Sequence, residues 1–262
     1  MDSKPDDASR PFVALHDVLV REGHGGRRGG TAPPVTLQIA RGEFLSIVGA
    51  PAGMGLPLLR LVAGLEPPGS GRVEVDGAAP SPDRVRCGLL FSAPVLLGWR
   101  TVLGNVLLAS ELMGGDAAAT LERASYLLAV AGLDEARGLR PDQLSRADAQ
   151  RVCLCRALLT SPPLLLLDDP FVGVGPIERE QFARELQRLL AGSATTVLML
   201  ASGTEEAVLL SDRVAVMAPD GIVQSIQIDL PRPRLPDAET VPRIAEHVGR
   251  LRVLLEANGC LA

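Results

Sequence analysis

The sequence predicts an α/β fold with a mostly parallel sheet, and three observations lead to this prediction. Apolar segments of strand length alternate with segments of helical periodicity along the 262 residues. The run LLLLDD at residues 164–169 is wholly apolar until it ends in two carboxylates, which is typical of a central parallel strand covered on both faces. Residues 44–65 have the pattern of a buried strand, a glycine-rich turn and an apolar helix.

Local patterns predict the remaining elements in chain order. Residues 11–48 contain two apolar stretches of β type around a polar loop, and residues 69–77 contain a short strand bounded by glycines. The pattern is helical from 94 to 131, a further helix is expected over 178–190 and a strand over 196–200. The tail has a helical apolar face, so we expect a helix over about 241–257 that packs on its own domain: Val241, Ile244, Val248, Leu251 and Leu255.

Composition and charge exclude several classes of function. A chain that is 47% hydrophobic at this length can bury a full core as one large domain. A net charge of −5, with Arg spread along the chain, predicts no nucleic-acid partner. No apolar run approaches the roughly 18 residues of a membrane span, and residues 1–12 do not resemble a signal peptide. We therefore expect a cytoplasmic protein.

The cysteines and histidines predict no metal centre. The cysteines lack the paired C-x-x-C spacing of a zinc site and are expected to be small buried residues: Cys87, Cys153, Cys155 and Cys260. The histidines are far apart in sequence, and none stands beside a candidate nucleophile: His16, His24 and His247.

The glycine-rich turn has the frame of a phosphate-binding loop, with glycines at positions 49, 53 and 55. Leu56 and Pro57 stand where such a loop carries a Lys, which neutralises the β- and γ-phosphates, and a Ser or Thr, which ligates Mg²⁺. Pro57 also lacks a backbone N–H that could contact a phosphate. The sequence therefore predicts a vestigial loop made of Gly49, Gly53, Gly55, Leu56 and Pro57.

Neither of two other cations is expected to replace the missing Lys. The only lysine in the chain is Lys4. Arg60 lies one helical turn after the loop, and its side chain would have to fold back over the start of the helix to reach a phosphate.

Several blocks in a fixed order together resemble the ATP-binding subunits of ABC transporters, and among them the nitrate, sulfonate and taurine importer group. The match covers nearly the whole length of the chain, and these blocks are its strongest stretches: LRLVAGLEPPGSGRVEVDG (59–77), GWRTVLGNVLL (98–108), LLLLDDPF (164–171), EEAVLLSDRVAVM (205–217) and LPRPR (230–234). The resemblance implies a P-loop NTPase-like ABC nucleotide-binding domain, with an N-terminal antiparallel β part and a helical subdomain. We expect a single domain over 1–262, with the helical subdomain at about 93–160.

The motifs of that family depart from its pattern at the positions that touch nucleotide. Ser92 stands where the family has a Gln that contacts Mg²⁺ and the attacking water. The signature segment is LSRAD, so Ser145 is kept, whereas Arg146 and Ala147 replace two glycines whose backbone amides approach a γ-phosphate in the family. Side chains at these two positions would block that approach.

The carboxylates after the central strand are partly retained. Asp168 occupies the possible Mg²⁺-binding position, and Asp169 replaces the catalytic Glu with a side chain one methylene shorter. Gly175 and Ser202 replace the family's D-loop Asp and switch His. Two interpretations of the two aspartates stay open: residual Mg²⁺ binding, or a structural role as acceptors of backbone N–H bonds.

These departures favour a non-catalytic subunit that acts as a docking, structural or regulatory component of a membrane transporter or other complex. No cofactor is expected, although weak binding of ATP and Mg²⁺ stays open. The expected partners are a permease subunit, another ABC ATPase subunit or both, in a homo- or heterodimer at the inner face of the cell membrane. The main alternative is an unorthodox but working ATP-hydrolysing subunit of a nitrate, sulfonate or taurine importer, and a second is a decaying gene product. Enzymatic activity is left undecided, with the residues favouring its absence.

Overall fold

The computed structural model describes residues 10–20, 34–51, 53–114, 116–218, 221–234, 237 and 239–260. The strands are β1 Val13–Val18, β2 Val35–Ile39, β3 Phe44–Val48, β4 Arg72–Val75, β5 Cys87–Leu90, β6 Leu164–Asp168, β7 Thr196–Leu200, β8 Arg213–Ala218 and β9 Gly221–Gln227. The helices are α1 Gly55–Val62, α2 Val102–Met113, α3 Ala117–Val130, α4 Arg146–Leu158, α5 Pro176–Leu190, α6 Thr204–Leu210 and α7 Thr240–Ala257. Lys4 and His24 lie outside the described residues.

Two sheets organise the strands, as the expected fold class requires. The larger sheet has the order β5-β6-β7-β3-β8-β9, with every pairing parallel except the antiparallel β8–β9 pair. The smaller sheet is antiparallel, with the order β2-β1-β4. The α/β fold with a mostly parallel sheet and an antiparallel N-terminal part is therefore confirmed.

The core has two layers because the central strands are apolar on both faces. Along β6, Leu165 and Leu167 belong to a cluster with the helices α2 to α5, whereas Leu164 and Leu166 belong to a cluster with α1 and the small sheet. The alternation places neighbouring residues of one strand on opposite sides of the sheet. The parallel strands end together at one edge, so the loops after β3, β6 and β7 meet there.

The C-terminal helix packs on its own chain, next to α6 and β8. Val248, Leu251 and Leu255 are buried as the apolar face predicts. Val241 is 48% exposed, so its assignment to the buried face is wrong. It lies in the first turn of the helix, where the chain has only begun to approach the core.

Candidate functional site

The turn between β3 and α1 has the backbone shape of a phosphate-binding loop. Gly49 and Gly53 have φ angles of 76° and 87°, a left-handed conformation that favours glycine. Gly55 is needed for a different reason, because a Cβ at that position would lie 2.6 Å from Cδ1 of Leu200 on β7. The predicted strand, turn and helix are thus present.

The side chains that follow the turn supply no charge. Leu56 and Pro57 lie in the first turn of α1, and both line the cavity in front of the loop. Pro57 is buried and has no N–H to offer to a ligand. Arg60 donates from Nη1 to Oε1 of Glu66 at 3.0 Å, so it is engaged away from the loop, as its position in the sequence predicts.

Two carboxylates stand at the end of β6, directly across from the loop. Asp168 is the last residue of the strand, and the hydroxyl of Ser92 lies 3.4 Å from its Oδ2. Asp169 has a φ of 43°, an uncommon conformation for Asp that turns the chain away from the sheet. Burial raises the pKa of both carboxyl groups, and hydrogen bonding with Ser92 and Ser202, respectively, opposes part of that rise.

The loop, the carboxylates and the start of α6 enclose one cavity of about 670 Å³. Ser202 lines it, so the structure brings together the predicted loop residues, Asp168, Asp169 and the predicted switch position. Among the described residues that line the cavity, the one cationic side chain is Arg252 on α7, which forms an ion pair with Glu205 on α6. That cation is already matched by a carboxylate.

The C-terminal helix forms a wall of this cavity, which the sequence did not predict. A Cβ at Gly49 would lie 2.8 Å from Cδ2 of Leu255 and 2.7 Å from the carbonyl oxygen of Met217. Leu255 and Cys260 both line the cavity, and the thiol of Cys260 lies 3.4 Å from the same carbonyl oxygen. The helical spacing of the tail indicated a buried face, but nothing local in the sequence indicates which surface that face covers.

The signature segment lies elsewhere, at the start of α4, and does not line the cavity. Ser145 caps the helix by accepting from the backbone N–H of Asp148, and Ala147 is buried. Arg146 lies at the surface and turns back toward its own chain, where it donates to backbone carbonyls. Gly175 precedes α5 as its N-cap residue and does not line the cavity either.

The groups present fit a divalent cation better than a polyphosphate. Asp168, Asp169 and the Ser92 hydroxyl offer oxygen ligands of the kind that Mg²⁺ prefers. Within the described ranges, no cluster of three or more His, Cys, Asp or Glu residues could hold a metal ion. A triphosphate in the cavity would face the carboxylates of Asp168, Asp169 and Glu205. Among the described lining residues, the one cation is already paired with Glu205. The residues present therefore do not fit a triphosphate, and they define no hydrolysis step.

Comparison with known proteins places this fold and this loop in one family. The sequence profile described as ABC transporter matches residues 33–172, which is more than half of the chain. The chain belongs to the ABC transporter family. This ABC-family chain is 40% identical over 215 residues to the aliphatic sulfonates import ATP-binding protein SsuB 1 of Xanthomonas axonopodis, covering 80% of the chain and 85% of that protein.

A second relative supports the importer group named from the sequence blocks. The chain is 36% identical over 246 residues to the nitrate import ATP-binding protein NrtD of Synechococcus elongatus, covering 90% of the chain and 82% of that protein. The resemblance to nitrate and sulfonate importer subunits is therefore confirmed.

Solved structures agree with the fold. A dimeric post-hydrolysis state of the ATP-binding cassette MJ0796, bound to ADP and Pi, matches with a TM-score of 0.72 at 25% identity, covering 83% of this chain and 99% of that one. The structure of cbiO1 from Clostridium perfringens matches with a TM-score of 0.73 at 19% identity, covering 95% of this chain and all of that one, and so shows the fold alone. Within the described part of this ABC-family chain, no helix is long and apolar enough to cross a membrane.

Proposed function

We propose that the chain is an importer ATP-binding-subunit homologue that does not hydrolyse ATP by itself and serves as a docking or structural subunit. The observation that carries the proposal is the loop between β3 and α1, which has the backbone shape of a phosphate-binding loop. Leu56 has a hydrocarbon side chain where a cation is required, and Pro57 has neither the required hydroxyl nor a backbone N–H. The cavity in front of it is lined by carboxylates.

The size of the expected effect favours this function. Phosphoryl transfer depends mainly on placing positive charge around the phosphates, and removing a single stabilising group of this kind costs about 10²- to 10³-fold in kcat. Such losses do not add simply within one site. Here the cation, the hydroxyl and an amide are missing from the same loop, so turnover at a useful rate would require a replacement from elsewhere.

We further propose a membrane-transporter setting with a protein partner, because both relatives are named as import ATP-binding proteins. The helical part carries several exposed apolar side chains that suit a protein contact: Val95, Trp99, Leu112, Met113, Leu121 and Tyr126. In this arrangement the chain is a peripheral subunit beside a permease, pairs with itself or with a second ATPase subunit, and forms one domain over 1–262 with its helical subdomain at about 93–160.

A second candidate function is a working but unorthodox ATP-binding and hydrolysing subunit. The comparisons favour it over the first, since neither relative's name indicates a non-catalytic protein and the MJ0796 cassette was solved with ADP and Pi. In this function Asp168 would hold Mg²⁺ and Asp169 would orient water. The residues of the cavity favour the first function, so an experiment on the loop decides between them.

The experiment is a calorimetric titration of the purified chain with ATP and with ADP, each with and without Mg²⁺. The first function predicts no binding up to millimolar nucleotide. The double variant Leu56→Lys, Pro57→Ser restores the missing cation, hydroxyl and N–H, and should bind nucleotide at least about tenfold more tightly than the native chain.

The matched control is Leu56→Gln, Pro57→Ala, which also removes the hydrocarbon side chain and the proline but adds no cation and no hydroxyl. It restores only the N–H, so it should bind nucleotide much more weakly than the Lys and Ser variant, provided that both variants keep the native circular dichroism spectrum. Micromolar Mg²⁺-dependent binding by the native chain, with turnover abolished by Asp169→Asn, would overturn the first function and establish the second.

A further inference from the structure

We propose that Arg146 is a positioning residue that ties the start of α4 to the two loops following β5 and β6 of its own chain. Its Nε lies 3.0 Å from the carbonyl oxygen of Val172, and its Nη2 lies 3.0 Å from the carbonyl oxygen of Ser92. Three segments that are distant in sequence therefore meet at one guanidinium. The planar fork of an Arg suits this task, because its donors can reach two acceptors at once.

The contact with the loop after β6 depends on a glycine. A Cβ at Gly173 would lie 2.7 Å from Nε of Arg146 and 3.2 Å from its Cζ, so a side chain at this position would displace the guanidinium. Gly173 also has a φ of 71°, which fits the tight turn after Asp169. In that turn the N–H groups of Val172 and Val174 donate to the carbonyls of Asp169 and Phe171 at 3.3 and 3.2 Å.

The contact with Ser92 extends to the cavity. The carbonyl of Ser92 accepts from Arg146, while its hydroxyl lies 3.4 Å from Oδ2 of Asp168. Neighbouring contacts on α4 act on the same loop, since Nε2 of Gln150 donates to the carbonyl of Phe91 at 2.6 Å. Arg146 thus helps to set the distance between the loop after β5 and the carboxylates, although it does not line the cavity itself.

The first step of the test is hydrogen exchange, followed by mass spectrometry, of the nucleotide-free chain. Arg146→Ala should raise the exchange rates of residues 92–98 and 170–175 about tenfold, and Arg146→Lys, which can reach only one of the two carbonyls, should have a smaller effect. The control is Arg188→Ala on the exposed face of α5, which should change neither segment. A general structural role for Arg146 would instead raise exchange across α4 and the sheet.

The second step separates the contact from the strain of the turn. Gly173→Ala should loosen residues 92–98 as Arg146→Ala does, because the new methyl group displaces the guanidinium. Gly192→Ala is the matched control, since Gly192 has a φ of 70° and no atom within 4 Å of its Cβ position. In the Arg146→Ala background, Gly173→Ala should add little at residues 92–98.

Unchanged exchange in Arg146→Ala, or full additivity of the two substitutions at residues 92–98, would overturn the inference and leave Arg146 as a solvated side chain. The inference does not rest on the proposed function. Hydrogen exchange is measured without nucleotide, so its outcome is independent of the nucleotide titration. The proposal for Arg146 can fail while the proposed function stands, and the proposed function can fail while the proposal for Arg146 stands.

Discussion

The end of α6 and the start of α1 differ in the polar side-chain groups that they receive. At the end of α6, Arg234 is 2% exposed and donates to the carbonyls of Val208, Ser211 and Leu230 at 2.6–2.7 Å. At the start of α1, the loop keeps its glycine conformations, but Leu56 and Pro57 offer no charged or hydroxyl group. The end of α6 and Arg234 belong to blocks of sequence that resemble importer subunits, and the start of α1 directly precedes another such block.

The buried polar groups at the end of α6 are thus paired by one side chain, whereas Leu56 and Pro57 bring neither a cation nor a hydroxyl to the loop. Burial lowers the pKa of Arg234 to about 10, so the side chain stays charged at neutral pH, and its donors are matched by carbonyl oxygens. A buried cation of this kind is retained only where its partners are complete. Leu56 and Pro57 line the cavity, and an apolar side chain there needs no hydrogen-bond partner.

The largest expected effect follows from removing the Arg234 hydrogen bonds at the end of α6. Arg234→Met should lower the free energy of unfolding by about 4 kcal/mol, because several buried carbonyls at the end of α6 lose their donors. Urea denaturation followed by circular dichroism measures the loss. Arg250→Met, an exposed arginine on α7, is the control and should stay within about 0.5 kcal/mol of the native chain. A loss for Arg234→Met as small as that for Arg250→Met would show that the Arg234 contacts contribute no stability.

The second largest effect concerns the packing of α7 and β8 against the loop between β3 and α1. Gly49→Ala should cost about 3 kcal/mol, because the methyl group combines left-handed strain with a collision against Leu255 and the carbonyl of Met217. Gly53→Ala shares the left-handed backbone but has no atom within 4 Å, so it should cost about 1 kcal/mol. Thermal unfolding of the two variants measures the difference, which is the contribution of packing between α7, β8 and the loop. A smaller loss for Gly49→Ala than for Gly53→Ala would mean that α7 does not press on the loop in solution.

The sequence predicted the framework better than the surroundings of the cavity. The strand at 196–200 was predicted with its observed bounds, and the helix predicted at 178–190 begins only two residues earlier. These elements follow from apolar periodicity and glycine positions, which are local signals. Asp168, Asp169 and Ser202 meet at one cavity, and the resemblance had given each of these positions a family counterpart.

The parts that were not predicted depend on contacts between distant segments. Arg252 and Leu255 lie in a helix whose apolar face is visible in the sequence, but their place at the cavity depends on how the chain packs after β9. Arg146 was expected to obstruct a phosphate, and its bonds to the carbonyls of Ser92 and Val172 have no sequence signal. Val241 was assigned to the buried face because periodicity alone does not show where a helix first meets its core.

The smallest expected effect concerns the acidic side of the cavity. The folded state holds the pKa of Asp169 above its unfolded value, mainly through burial, so the folded chain binds more protons in the pH window between the two values. Stability from this group must therefore fall as pH rises through that window and stay low above it. Asp169→Asn removes the partly buried charge and should stabilise the chain slightly at neutral pH, while flattening the decline on the acidic side.

Denaturation at a series of pH values, compared with the exposed Asp83→Asn variant, measures this effect. A carboxylate that costs stability in the nucleotide-free chain is expected where its charge serves a ligand. If Asp169→Asn instead destabilises the chain at neutral pH, the carboxylate is a structural acceptor for the Ser202 segment. A stabilised Asp169→Asn variant would sharpen the contrast, with a ligand-directed carboxylate after β6 facing a loop whose Leu56 and Pro57 side chains carry neither a charge nor a hydroxyl.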